Sequence, residues 1–158
     1  MNRPQSFPPT RLHNQYGVSL LEVLIAVVIL SIGLLGLAGL QLSALRNNQS
    51  AAERSTAIMQ VYSIAEAMRA DVNATRTGGF EIALEGSAPT GSTFALQQLA
   101  TWRDRLKENL GPSATGGVEC ATESAPIEFT VCTVTIRWDD SLGLGGSSTQ
   151  TLTTEVEI

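Results

Sequence analysis

The sequence predicts an α+β protein in which one long N-terminal helix packs against a small antiparallel sheet and a second, short helix. Three observations predict this fold. The run from Val23 to Leu40 holds 18 almost entirely apolar residues, close to the ~20 that cross a bilayer as a helix. No proline occurs between Pro9 and Pro89, so the helix can continue past the apolar run. Towards the C-terminus, apolar and polar residues alternate with the period of two that strands show.

The long helix is predicted to have two halves of different polarity. Residues 18–42 form the transmembrane half, and residues 43–76 form an amphipathic half. In the second half, apolar residues recur at three- and four-residue steps with charged residues between them, as in a helix that buries one side. Three glycines interrupt the first half, and they either permit close packing with a neighbouring helix or let the helix loosen: Gly33, Gly36 and Gly39.

Residues 77–158 are predicted to form one small folded domain, the ectodomain. It begins with a turn-rich connection in which residues 80–84 form a short strand. A second helix over residues 94–110 follows, because Ser92 or Thr93 can cap it and a Gly-Pro pair stops it.

One side of this second helix is predicted to face the core, while its charged residues, Arg103 among them, fall mainly elsewhere. We interpret Trp102 as a core residue rather than a binding residue. The apolar side of the helix is formed by Ala95, Leu99, Trp102, Leu106 and Leu110.

The antiparallel sheet is predicted over residues 118–158. Its first, short strand covers residues 118–121. Two longer strands follow, each with one side facing the core and the other carrying mostly threonine and charge. The core-facing positions are Cys132, Val134, Ile136 and Trp138 in one strand and Leu152, Thr154, Val156 and Ile158 in the other.

A single acid stands at the start of the apolar run. The segment before it, residues 1–17, is a polar leader that ends in Gly17. Between Arg11 and Arg46 the only formal charge is the carboxylate of Glu22. An ionisable group in a membrane-length helix is costly and by default indicates a function and a partner of opposite charge. The alternative is that this carboxylate merely reaches back to the membrane interface.

The order of a basic leader, a glycine, Val-Ser-Leu-Leu-Glu and an unbroken apolar helix resembles the type IV prepilin signal. The resemblance implies that a membrane prepilin peptidase cleaves between Gly17 and Val18 and methylates the new terminal amine of Val18. Glu22 then occupies the family's acidic position and serves assembly, its carboxylate facing the ammonium terminus of a neighbouring subunit. Val18 departs from the family pattern, in which an aromatic residue or methionine is more usual.

Two other interpretations of the N-terminus stay open. Gly36-Leu37-Ala38 offers the small-x-small site of a cleaved secretory signal, although the leader and apolar core are longer than such signals have and an acid breaks the front of the core. The second alternative is that the chain is a single-pass, signal-anchored periplasmic binding domain that never assembles. The first residue of the mature protein distinguishes these interpretations: a start at Gly39 or Met1 supports them, whereas a start at Val18 supports the prepilin.

The prepilin resemblance implies a pilin-like fold and a structural role. The run from Ile32 to Gln41 resembles the PilV-type minor pilins more narrowly. The implied function is to prime and assemble type IV pili, which serve twitching motility and adhesion; the alternative is a minor pseudopilin of a type II secretion system. The implied location is the inner membrane, single-pass with a periplasmic ectodomain, and then the pilus or its tip. The implied partners are prepilin peptidase/methyltransferase, other minor pilins, the major pilin, the inner-membrane assembly platform and, before assembly, the bilayer.

The two cysteines of the chain, Cys120 and Cys132, then lie in an oxidising compartment, which favours a disulfide between them. Two free, buried thiols are the alternative. Their spacing is far from Cys-x-x-Cys, which argues against a redox or metal role.

Other chemistry is not expected. The only histidine, His13, lies in the leader, and we expect no enzyme activity and no cofactor. Asp139-Asp140 beside a glycine-rich loop is either a Ca²⁺ site or a solvated turn. Loss of the leader removes two arginines and changes the formal charge from −5 to −7. With no cluster of basic residues, nucleic acid is not an expected partner.

Overall fold

The computed structural model describes residues 17–123 and 129–158. Residues 1–16 of the leader lie outside the described residues. The chain divides into two compact units, the first ending at Leu40 and the second covering Gln41–Ile158. The elements are α1 (Leu20–Ala70), α2 (Val72–Arg76), α3 (Phe94–Leu110), β1 (Thr115–Glu123), β2 (Phe129–Trp138) and β3 (Gln150–Glu157).

In the first unit, α1 is exposed on every side. The apolar side chains of residues 20–40 contact no other element. Among the described residues, α1 is the one helix that is long and apolar enough to cross a membrane. Ser31, the only polar residue between Val23 and Leu40, donates a 2.7 Å hydrogen bond to the carbonyl of Val27, so its hydroxyl is satisfied within the helix. A Cβ added at any of three glycines would meet nothing within 4 Å: Gly33, Gly36 and Gly39.

The long helix has a break that the sequence pattern did not predict. α1 ends at Ala70, and the short α2 begins at Val72. Asp71 leaves the helical conformation, with φ −135°, and its side chain accepts a 3.0 Å hydrogen bond from the backbone N–H of Ala74, which caps α2. The helical prediction to residue 76 is therefore correct in extent, but an Asx cap divides it.

The three strands form one antiparallel sheet in the order β1-β2-β3. β1 begins at Thr115, earlier than predicted, and includes Gly116. A Cβ at Gly116 would lie 2.3 Å from the Trp102 ring, so this glycine lets α3 pack directly on the strand. The strand predicted over residues 80–84 is reduced to one bridge between Ile82 and Val118.

α1 and α3 cover the same face of this sheet. The alternation predicted for β2 is confirmed, since every second residue is buried. Trp102 is confirmed as a core residue, and its indole N–H donates a 3.0 Å hydrogen bond to the carbonyl of Gln60 in α1. The core includes Val61, Ile64 and Met68 from α1, Leu99 and Leu106 from α3, and Val134, Ile136 and Trp138 from β2.

Arg103 is buried, contrary to its predicted place away from the core, and is only 3% exposed. Its guanidinium donates to backbone carbonyls alone: to Gly116 at 2.7 and 3.0 Å, to Ala83 at 2.5 Å, to Leu84 at 3.4 Å and to Gly86. Burial lowers the pKa of Arg103 from its ordinary value. The side chain ties the connection between α2 and α3 to the start of β1.

Candidate functional site

The residues around the predicted cleavage bond lie just outside the helix. Gly17, Val18 and Ser19 are non-helical and exposed, and α1 begins at Leu20. The backbone N–H of Glu22 donates to the Ser19 hydroxyl at 3.2 Å and to the Ser19 carbonyl at 3.1 Å. Ser19 is therefore the N-cap of α1. A peptide bond in this position can enter a peptidase without unwinding helical hydrogen bonds.

The capping role of Ser19 was not part of the sequence prediction. The pattern Ser19-Leu-Leu-Glu22 has the spacing of a capping box, in which a serine or threonine is followed three residues later by a glutamate. That spacing is the signal that identifies the cap. The same four residues therefore determine where the helix starts and where its acid stands.

Glu22 lies in the first turn of α1, where the helix dipole favours a negative charge. No ion pair or side-chain hydrogen bond joins its carboxylate to another described residue. A shallow groove beside it is lined by Val18, Val23, Ala26, Val27 and Leu30. The described fold thus presents one acid on an apolar surface.

Cys120 and Cys132 form a disulfide in the structure. They are direct partners in the β1–β2 register, with their Cα atoms 4.0 Å apart, and Cys132 is fully buried. The bridge joins adjacent strands and lies at the edge of the core, where it stabilises the domain.

The two acids of the glycine-rich turn are engaged by hydroxyl and amide donors. Asp140 is buried and accepts a 2.6 Å hydrogen bond from the hydroxyl of Ser50 in α1. Asp139 accepts a 2.9 Å hydrogen bond from the backbone N–H of Ser141. Hydrogen bonding from the side chain and backbone of Ser141 lowers the pKa of Asp139. The described residues contain no group of three or more metal-ligating His, Cys, Asp or Glu side chains. These contacts support a loop-shaping role for both acids.

An apolar helix of membrane length, joined to a domain with a three-stranded antiparallel sheet, defines an α+β pilin-like layout. Residues 12–38 match the family model of the prokaryotic N-terminal methylation motif. The chain therefore carries the class III signal of type IV prepilins, and the match includes the Gly17–Val18 bond and Glu22. No curated protein and no solved structure matches the chain. The motif supports a pilin or pseudopilin, while the PilV-type likeness stays a prediction.

Proposed function

We propose that this chain is a minor pilin of the PilV type, which primes and assembles type IV pili. Prepilin peptidase removes residues 1–17 and methylates the amine of Val18. The mature subunit waits in the inner membrane, spanning it once with its ectodomain in the periplasm. On the assembly platform it then joins other minor pilins and the major pilin. The observation that supports this proposal most is the methylation motif at residues 12–38, because its residues 20–38 form the start of α1.

The unpaired acid supplies the assembly contact. In a filament, the carboxylate of Glu22 faces the N-methylated ammonium of Val18 in a neighbouring subunit. At ~4 Å and an effective dielectric of ~20 this attraction is worth about 4 kcal/mol before desolvation is subtracted. Since opposite charges are drawn together only at one axial offset, the pair sets the register between neighbouring helices.

The exposed surface of α1 fits both locations of the subunit. Before assembly, lipid covers its apolar side chains; after assembly, the helices of neighbouring subunits replace lipid. When neighbouring helices replace lipid, the apolar side chains of α1 stay buried. The free-energy cost of this replacement is therefore small apart from the neutralisation of Glu22. The role is structural, as it is for the family of the motif.

A deletion strain tests the proposal. Loss of twitching motility with intact secretion of exoproteins is expected. Loss of secretion with normal twitching would contradict the pilus role and indicate a minor pseudopilin of a type II secretion system. Complementation with the wild-type chain should restore twitching, whereas the matched variant Gly17→Val, which blocks processing at the cleavage bond, should not.

A further inference from the structure

The loop between β2 and β3, residues 139–149, exposes two large apolar side chains. Leu142 is 72% exposed and Leu144 is 63% exposed. Outside α1, the other large apolar side chains that the described residues leave exposed are Phe94 and Val18, the latter just before the start of α1. Two exposed leucines on either side of one glycine form a small apolar tip, whereas the rest of the loop is polar.

This loop is held in one place on α1. The bond between Ser50 and Asp140 joins the two elements, and a Cβ added at Gly143 would lie 3.1 Å from the Ser50 Cβ. The loop is also closed on itself, because the N–H of Asp140 donates to Ser147 O at 2.9 Å and the N–H of Gly143 donates to Asp140 O at 3.0 Å. The two leucines therefore flank the point of contact with Ser50.

Ser50 lies just past the end of the apolar part of α1. Within the second unit, Leu42 and Leu45 are still exposed, 52% and 65%, and the first charged residue after them is Arg46. At ~1.5 Å per residue, Ser50 is about 8 Å along the helix axis from Leu45. The polar layer on each side of a bilayer is roughly 5 to 8 Å thick. Counted from Leu45, the last exposed leucine before Arg46, the loop contact thus falls at the depth of the headgroups; counted from Leu42, where the predicted transmembrane half ends, it lies about 12 Å out, just beyond them.

We propose that the β2–β3 loop is a second membrane contact, in which Leu142 and Leu144 insert at the boundary between headgroups and acyl chains. The inference depends on the membrane location given in the proposed function. Lipid is the occupant that fits, because the apolar part of the same helix ends one to two turns away and interfacial segments bury their apolar side chains only ~5 to 10 Å deep.

The contact is apolar rather than electrostatic. The loop carries the exposed carboxylate of Asp139 and no basic residue. Anionic lipids are therefore not needed, and salt should not release the loop. In the stored subunit the contact holds the ectodomain at the bilayer surface, and assembly must detach it.

Depth-dependent quenching tests the contact in the full-length, disulfide-intact chain. Single cysteines introduced as Leu144→Cys, Leu30→Cys and Asn73→Cys are labelled with the fluorophore NBD. Each protein is diluted into phosphatidylethanolamine-rich vesicles with or without 5-doxyl lipid. Asn73 is an exposed residue of α2, more than twenty positions beyond Ser50, and provides the matched control. Leu30 lies in the middle of the apolar run and reports on the membrane location alone.

The label at position 144 is expected to emit at shorter wavelength, to lose most of its emission to the lipid quencher at low and high salt, and to resist aqueous iodide. The label at position 73 should behave in the opposite way. If the label at 144 is open to iodide and unquenched by lipid while the label at 30 is quenched by lipid, the loop proposal is overturned and the membrane location stands. Shielding at 144 that appears only at high protein density, without lipid quenching, also overturns it in favour of contact between subunits. An unquenched label at 30 overturns the membrane location itself.

Discussion

The backbone N–H of Glu22 donates a 3.2 Å hydrogen bond to the hydroxyl of Ser19. The two residues cap α1 just after the Gly17–Val18 bond, so residues 17–19 around the expected cleavage point are non-helical and the helix begins at Leu20. Glu22 contributes its backbone to the cap, which leaves its carboxylate free for another chain. A substitution of the Glu22 side chain can therefore remove the proposed assembly contact without changing where the helix starts.

Glu22→Ala is expected to leave cleavage of the leader intact but to reduce incorporation into pili strongly. The variant keeps the backbone N–H that bonds Ser19, and it removes an attraction worth up to about 4 kcal/mol before desolvation. Immunoblots of sheared pili and of membranes measure the two effects separately. The control Glu22→Gln keeps the shape without the charge and should fail equally, because the attraction is ionic. Normal piliation in both variants contradicts the pairing role.

The limits of the second helix and the alternation of β2 followed from local signals in the sequence. α3 covers Phe94–Leu110 as predicted, because Thr93 caps its start and Gly111 ends it. β2 alternates as predicted, since its side chains divide between core and solvent with the period of the pleat. These features depend on nearest neighbours along the chain.

The features that were missed depend on distant residues or on a cap within a continuous pattern. Arg103 is buried because the carbonyls that receive it come from the connection between α2 and α3 and from β1, and no periodicity within α3 indicates them. Gly116 is a strand residue that pairs with Ile136, and Trp102 of α3 packs where its Cβ would lie. Asp71 divides the long helix by an Asx cap within an otherwise helical pattern. For the candidate site, the sequence places Glu22 at the start of the apolar helix, whereas the cap formed by Ser19 was missed although the Ser-x-x-Glu spacing signals it.

Arg103→Met should destabilise the ectodomain by roughly 3 kcal/mol, because it leaves several backbone carbonyls without their donors. For a domain of this size it corresponds to a Tm lower by roughly 12 to 24 °C. The fluorescence of Trp102 and Trp138 in detergent-solubilised full-length protein measures it, since the chain has no tryptophan in its membrane half. The matched control Arg105→Met removes an exposed arginine from the same helix and should leave Tm nearly unchanged. Equal Tm values for both variants would show that the buried contacts contribute nothing.

Cys120→Ser should lower the ectodomain's stability by about 3 kcal/mol on the loop-entropy model, because it opens a loop with a sequence separation of 12. Thermal unfolding in non-reducing buffer measures the effect. Reductant should lower the Tm of the wild-type protein towards that of the variant and leave the variant's Tm unchanged. The disulfide has no stabilising role if wild type and variant melt together without reductant.

The exposed pair Glu85–Arg137 should respond to acid. The hydrogen bond from Arg137, together with its charge, lowers the pKa of Glu85 below its ordinary value. A carboxyl that is more acidic in the folded state adds stability above its unfolded pKa, and that stability is lost as pH falls through the folded pKa. The effect on stability is small because Glu85 is exposed. An NMR titration should show the Glu85 midpoint move upward in Arg137→Met and stay in place in Arg105→Met; identical midpoints in the wild type and Arg137→Met contradict the pairing.

The N-terminus of the protein purified from membranes tests the central claim most directly. Mass spectrometry of its first peptide should find a chain that begins at Val18 and carries one methyl group on the terminal amine. This result is expected because residues 12–38 carry the methylation motif and the Gly17–Val18 bond lies just before the capped helix. A mature chain that begins at Met1 or at Gly39 would contradict the prepilin account.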